Sequence, residues 1–231
     1  GSPTAIGDQA RAYGRSSIAI GGNPNGAGTK AEGDFSVALG AGAITSLNAI
    51  NSIAIGNGAL AKANNAFAFG VSTSADNTNA IAFGSYTKAQ ANNAVAFGIS
   101  NTLTAENASV LGNNNVINTA YTSIVGSNNK IDTGATGTFI FGNYVTVTKA
   151  AGDMSATNKG VFNGSVALGN ATSVQAPVGT NSYSYAGVTH DFKGGVPVGT
   201  VSVGSEGKER TMTNVAAGRI SNQSTDAING S

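Results

Sequence analysis

A short phrase of small and apolar residues closed by glycine returns along this chain, and it limits the possible folds more than any other feature. It reads Ser52-Ile53-Ala54-Ile55-Gly56, Ala66-Phe67-Ala68-Phe69-Gly70, Ala80-Ile81-Ala82-Phe83-Gly84 and Ala94-Val95-Ala96-Phe97-Gly98. Earlier copies close at Gly21 and Gly40, later ones at Gly112, Gly126, Gly142 and Gly169. From Gly56 through Gly70, Gly84, Gly98 and Gly112 to Gly126 the closing glycines keep an even step of fourteen. Self-similarity at a fixed period is the mark of a repeat architecture.

Each phrase is rich in Val, Ile and Phe and is bounded by Gly, Asn and Ser, the composition of a short strand between turns. Fourteen residues hold two such strands and two tight turns. The expected result is a flat, two-sided, all-β solenoid with coils stacked about 4.8 Å apart, so that ten coils make a rod about 45–50 Å long. Glycine after the strand suits positive φ or close backbone approach. The pairs Asn64-Asn65, Asn92-Asn93 and Asn128-Asn129, and the run Asn113-Asn114-Asn115, suit tight turns and are expected to stack into ladders.

The two strands of a coil differ. In the coil 57–70 the first strand, Ala59-Leu60-Ala61-Lys62-Ala63, alternates, so its alanines face inward and its other members face water. The outward set down the rod is Leu60, Lys62, Asp76, Lys88, Gln90, Thr102 and Thr104, a candidate ligand face. The second strand is apolar on both sides, as a strand covered on both faces is. Phe67 and Phe69 are expected to pack on the alanines inside the coil. The opposite face, carrying Ala68, Ala82, Ala96, Val110, Ile124 and Ile140, then needs partner chains to cover it, most simply in a closed symmetric oligomer.

Composition removes most other functions. Only 10% of residues are charged and the net charge is +1, so no strong field attracts nucleic acid or an anionic membrane. No stretch is long and apolar enough for a membrane helix. Cysteine is absent, which removes disulfides and thiol chemistry. That absence fits a repeat with no use for Cys and equally a chain exported unfolded. The single histidine, His190, stands beside Asp191, but no nucleophile motif accompanies the pair. The run Gly22 to Lys30 has glycines and a lysine but lacks the order and the following helix of a phosphate loop, and reads as a loop between coils. No cofactor or metal site is expected, and no catalysis.

After Gly142 the rhythm breaks. The segment 143–164 is longer than a coil and contains Tyr144-Val145-Thr146-Val147-Thr148, which reads as part of an inserted hairpin or bulging loop. Tyr183, Tyr185, His190 and Phe192 follow in a Gly- and Pro-rich stretch, and packing in a small core is expected of them over an exposed ligand surface. Thr225-Asp226 reads as a helix N-cap, as if a helix began there. Gly1-Ser2 reads as an expression scar, and the chain as a piece of something larger.

The Ser-(Val/Ile)-Ala-(Ile/Leu)-Gly coils, joined to Val201-Ser202-Val203-Gly204, Thr213-Asn214-Val215-Ala216-Ala217-Gly218-Arg219-Ile220-Ser221 and Thr225-Asp226-Ala227-Ile228-Asn229-Gly230, resemble the YadA-like head and neck of trimeric autotransporter adhesins. The resemblance implies a homotrimer of left-handed parallel β-rolls, with a head over 1–199 and a neck over 200–231 leading to a coiled-coil stalk. It also implies a bacterial cell-surface location, as the exported passenger of an outer-membrane protein whose anchor lies beyond this segment. The partners implied are the chain itself and host extracellular-matrix or cell-surface proteins, with no nucleic acid. The segment 143–164, and Val110, Ile124 and Ile140 in place of the usual central Ala, depart from the pattern.

Adhesion through the outward face is therefore the leading expectation. A structural spacer that lifts another domain from the cell is the alternative. A solenoid enzyme would need clustered carboxylates or histidines, and a flat ice-binding face would need regular ranks of Thr. The outward positions mix Leu, Lys, Asp, Gln and Thr.

Overall fold

The strand phrases and the turns between them wind into a two-sided parallel β-solenoid of about ten coils. The computed structural model describes residues 1–22, 26, 28–147 and 163–230. Among these, the glycine-closed phrases form a parallel sheet of 12 short strands in sequence order, and the intervening strands form a second parallel sheet of 10. Residues one coil apart stand side by side: Phe67, Ile81 and Val95 pair in one sheet, Leu60, Ser74 and Lys88 in the other.

The joints are tight turns. Asn64-Asn65 and Asn57-Gly58 are bridged by Ala66 N to Ala63 O and Ala59 N to Gly56 O, with Asn65 at φ +55° and Gly58 at φ +66°. Positive φ at the third turn residue selects Gly or Asn. The closing glycines answer a different need as well. Gly98 sits at φ +122°, and a Cβ there would run into the carbonyl oxygen of Gly112 in the next coil. The expected Asn ladder is present: Asn65, Asn79, Asn93 and Asn107 pass side-chain amide hydrogen bonds from coil to coil at 3.0–3.1 Å.

The inside and outside of the first sheet are the reverse of the sequence expectation. Ala68, Ala82, Ala96, Val110, Ile124 and Ile140 are fully or almost fully buried within the single chain. They face Ala61, Ala75, Ala89, Leu103, Ile117 and Ile131 of the other sheet in one continuous core. They have no surface left to offer a partner. Phe69, Phe83 and Phe97 point outward instead, each 37–40% exposed. The cause is the short joint between the sheets. A four-residue turn spans less than about 7 Å, well short of the roughly 10 Å that ordinary stacked sheets keep, so alanine fits inside and phenylalanine does not. From Leu103 to Val147 the facing residues of the two sheets become branched aliphatics, and the column returns to alanine at Ala167.

Polar groups inside the coil are paired. Thr87 Oγ1 donates to Gly98 O at 2.7 Å, and Asn101, Asn115 and Asn129 take over that role in the following coils. No buried side-chain N or O among the described residues lacks a partner.

Beyond Gly142, Thr146–Val147 pairs with Lys130–Ile131, and the solenoid resumes at Val166–Leu168 against Phe139–Phe141. Thr148 and the body of the expected insertion lie outside the described residues, as do Asn23, Pro24, Asn25 and Ala27 of the earlier loop. Tyr183 and Tyr185 do not form a small core. They lie on an exposed antiparallel hairpin, Ser182–Tyr185 with Val188–Asp191, and Phe192 just after it is exposed too. A two-stranded ribbon with no second layer has nothing to bury its side chains against. Val201–Ser202 adds the last strand of the large sheet. The expected helix start at Thr225-Asp226 is absent among the described residues. Asp226 instead accepts from the Arg219 guanidinium at 2.7 and 3.0 Å and from the Arg219 backbone N–H at 3.1 Å. That pairing holds the Asp226 carboxyl down at about 2.

Candidate binding face on the ten-stranded sheet

The ten-stranded sheet presents its outer side as two rows of side chains, one pair per coil. Its strands are two residues long and its inner positions are alanines or larger aliphatics, so the residues on either side of each inner position must point out. Leu60, Lys88 and Thr102 lie in one row, together with Ser74, by strand register. Lys62, Asp76, Gln90 and Thr104 form the second row, each set by a backbone N–H donated to the next coil at 2.8–2.9 Å. The structure brings all seven expected outward residues onto one face. Lys62, Lys88 and Thr104 are exposed; Leu60, Asp76, Gln90 and Thr102 are half-buried.

The second row holds two polar clusters, one around Asp76 and one running from Thr104 to Asp132. Lys62 Nζ lies 2.9 Å from Asp76 Oδ1, Gln90 Nε2 donates to Asp76 Oδ2 at 3.3 Å, and Ser74 donates its hydroxyl to Asp76. Burial pushes the Asp76 carboxyl up, but the hydrogen bonds from Ser74, Lys62 and Gln90 outweigh it and the net shift is downward. Thr104 Oγ1 donates to Asn118 Oδ1 at 2.9 Å, and Asn118 Nδ2 to Asp132 Oδ1 at 3.1 Å. Lys130 closes the row on Asp132 at 3.0 Å. Ser74, Asn118, Lys130 and Asp132 were missed by the sequence reading, although continuing the regular coil step from Leu60 and Thr104 reaches them all.

The face can therefore make many weak polar contacts at a regular spacing. Among the described residues no group of three or more His, Asp or Glu side chains gathers to hold a metal. His190 and Asp191 are neighbours on one strand and so point to opposite faces of their hairpin.

The opposite side of the solenoid is mostly apolar, broken by the hydrogen-bonded pair Ser109 and Ser123. Phe69 and Phe83 stack with centroids 4.7 Å apart, and Phe97 continues the line at 5.7 Å from Phe83. Ile18, Ile20, Leu39, Leu111, Phe139 and Phe141 extend the exposed apolar surface along the same sheet.

Residues 4–23, 25–43, 48–73 and 75–100 match the family profile of the YadA head domain repeat. A stretch of 54 residues is 61% identical to the autotransporter adhesin BtaE of Brucella suis biovar 1 (strain 1330), and covers 23% of this chain and 7% of that protein. The chain thus spans a small fraction of the length of this relative. Among solved structures, the C-terminal YadA-like domain of a Burkholderia pseudomallei protein is 34% identical over 56% of this chain and 43% of its own, with a TM-score of 0.32. The collagen-binding domain of the Yersinia adhesin YadA is 20% identical, with 99% of this chain and 93% of that one covered and a TM-score of 0.36.

Proposed function

We propose that this chain, which carries YadA head domain repeats, is the head of a bacterial surface adhesin that works as a homotrimer and attaches through the polar face of its ten-stranded sheet. The observation that carries this reading is the opposite character of the two solenoid faces. One is a flat strip of half-exposed Phe, Ile and Leu about ten strands long; the other is a ladder of polar groups. An apolar strip that long on a soluble surface marks an interaction site. A second and third copy of the same strip would cover it under closed symmetry. The interface so assigned is Phe69, Phe83 and Phe97 with the Ile, Leu and Val of the same rows, in place of the alanine column.

The polar face then looks outward from the trimer toward an extended partner, a matrix protein or a host-cell surface. Residues 1–199 form the head and 200–231 the neck of this reading, on the outside of the cell and anchored through the outer membrane by a part of the protein beyond this segment. The head does no chemistry. The internal pairing of Lys62, Asp76 and Gln90 favours a second reading, in which the fragment is a spacer with no ligand.

Two measurements test this. Light scattering on a sizing column should give three times the chain mass of 22.7 kDa. Phe83→Asp should break that assembly, and a folded monomer from the unaltered chain would end the interface assignment. Attachment to immobilised matrix proteins, collagen among them, should fall when Lys62, Lys88, Gln90 and Thr104 are all changed to Ala. Unchanged attachment would remove the polar face from the mechanism, and no attachment at all would leave the spacer.

A further inference from the structure

The solenoid surface is smooth where coils keep the regular step and departs from that where a coil is longer. The coil from Gly40 to Gly56 has two residues more than the one from Gly56 to Gly70. The strands of this coil keep register with the next, Ile44 beside Leu60 and Ile53 beside Phe67, so they cannot absorb the two extra residues. Leu47 and Asn48 are extruded instead, in a turn closed by Ala49 N donating to Ser46 O at 2.9 Å. Leu47 is 71% exposed. This bulge walls a shallow cavity of about 460 Å³, with Tyr13, Glu32, Asp34, Ile50 and Asn64 around it. Tyr13 and Glu32 belong to the outward polar row, by the backbone bonds Tyr13 N to Ala31 O and Glu32 N to Thr45 O.

The lining is unlike the self-satisfied ladder further down the rod. Asp34 is locked by Arg15, whose backbone N–H and Nε donate to it at 2.8 and 2.7 Å while the guanidinium rests 5.6 Å from the centre of the Phe35 ring. The Asn64 side-chain oxygen accepts from Ile50 N at 3.0 Å. The Glu32 carboxylate, the Asn48 amide, the Asn64 NH2 and the Tyr13 hydroxyl have no partner among the described residues. Tyr13, one of the residues that line the cavity, is 61% exposed.

We propose that this cavity is a subsite for one neutral sugar ring of a glycan, an inference that rests on the adhesin reading above. The lining joins the aromatic Tyr13 and the aliphatic Leu47 and Ile50 to the polar Glu32, Asp34, Asn48 and Asn64. An aromatic ring suits the C–H face of a pyranose, and a mixed wall with several polar groups suits its ring of hydroxyls. The free groups include acceptors on Glu32 and donors on Asn48, Asn64 and Tyr13. Sugar hydroxyls both donate and accept, so they use all of these. A cationic side chain would waste two amide NH2 groups, and an anionic sugar would meet two carboxylates.

Saturation-transfer NMR on the whole chain tests the proposal, with lactose, cellobiose and chitobiose as neutral probes, and sialyllactose and a lysine-rich peptide as charged ones. At least one neutral disaccharide should bind, weakly, and lose about tenfold or more in affinity in Tyr13→Ala and in Glu32→Gln. Tyr185→Ala, on the exposed hairpin and outside the cavity, should leave it unchanged. Circular dichroism and native mass confirm that the variants fold. Absence of transfer to every neutral probe overturns the proposal. So does binding that survives both cavity substitutions, or displacement of the sugar from the cavity by the lysine-rich peptide. Failure here with matrix attachment intact removes only the cavity. Loss of matrix attachment in the fourfold Ala variant concerns only the polar face.

Discussion

The side-chain amide of Asn115 donates to the side-chain oxygen of Asn101, one coil earlier, at 3.0 Å, with both residues closed off from solvent. Asn115 also donates to Gly126 O at 2.8 Å, and its own oxygen accepts from the backbone and side chain of Asn129, each at 3.0 Å. One residue thus ties three coils together at the joint between the sheets. Replacing it by Ala leaves several buried groups unpaired and should cost about 3 kcal/mol or more. Asn115→Thr should cost less, because Thr87 already bridges to the glycine carbonyl at the equivalent place. Denaturant unfolding of the two variants checks the order, and equal losses would count against the ladder as the cause.

The exposed Asn ladder stops at Tyr121. That residue occupies the turn position with φ +57°, where Asn107, one coil earlier, has φ +54°. A bulky side chain in left-handed backbone is strained by about 1 kcal/mol or more, and Asn tolerates it. Tyr121→Asn should therefore stabilise the protein by about 1 kcal/mol and give the Asn107 amide its next partner. A lower unfolding midpoint would show that Tyr121 makes a contact worth more than its strain.

Interior volume changes along the rod, from Ala82 and Ala96 to Ile124 and Ile140. Ile117→Ala should destabilise by about 2–5 kcal/mol through the cavity it leaves. Ala82→Leu should destabilise by about 1–3 kcal/mol for the opposite reason, since the short turns hold the sheets too close for a larger group. If Ala82 lay on the surface, as periodicity alone allows, Ala82→Leu would be neutral.

Asp76 sets a pH dependence. Its folded carboxyl lies below the ordinary value of 3.8, so the stability it contributes is complete above that value and is lost as pH falls through the lower folded one. The difference in unfolding free energy between the unaltered chain and Asp76→Asn should be constant at neutral pH and shrink in this acidic window. Asp226, paired with Arg219, behaves in the same sense, its carboxyl titrating at about 2, which NMR of the side-chain carbon would read. A difference that grew on acidification would mean that burial, and not the Lys62, Ser74 and Gln90 contacts, controls Asp76.

Much of the candidate binding face is legible in the sequence. Small residues such as Ala61, Ala75 and Ala89 alternate with polar ones, and only one of the two sets can face water. The cavity at Tyr13 is not legible there. It depends on where a two-residue bulge at Leu47 comes to rest beside a side chain two coils earlier, and nothing local to either segment records that neighbour. The exposed hairpin at Tyr183 was misread for a similar reason, since aromatic residues in sequence do not say whether a second layer exists to cover them.

The sequence by itself determined the coil, the register and the turns. An even period from Gly56 to Gly126, a closing glycine at each strand end and Asn in the turns favour one way of stacking, because every element of it is local and is repeated. It did not decide which side of the Ala66–Phe69 type of strand is the inside. Both sides are apolar, and a period of two assigns alternate residues to opposite faces without saying which face is buried. Only the tertiary structure decides that. Short turns bring the two sheets close, the space between them admits alanine, and the phenylalanines are left on the outside, where one chain alone cannot cover them.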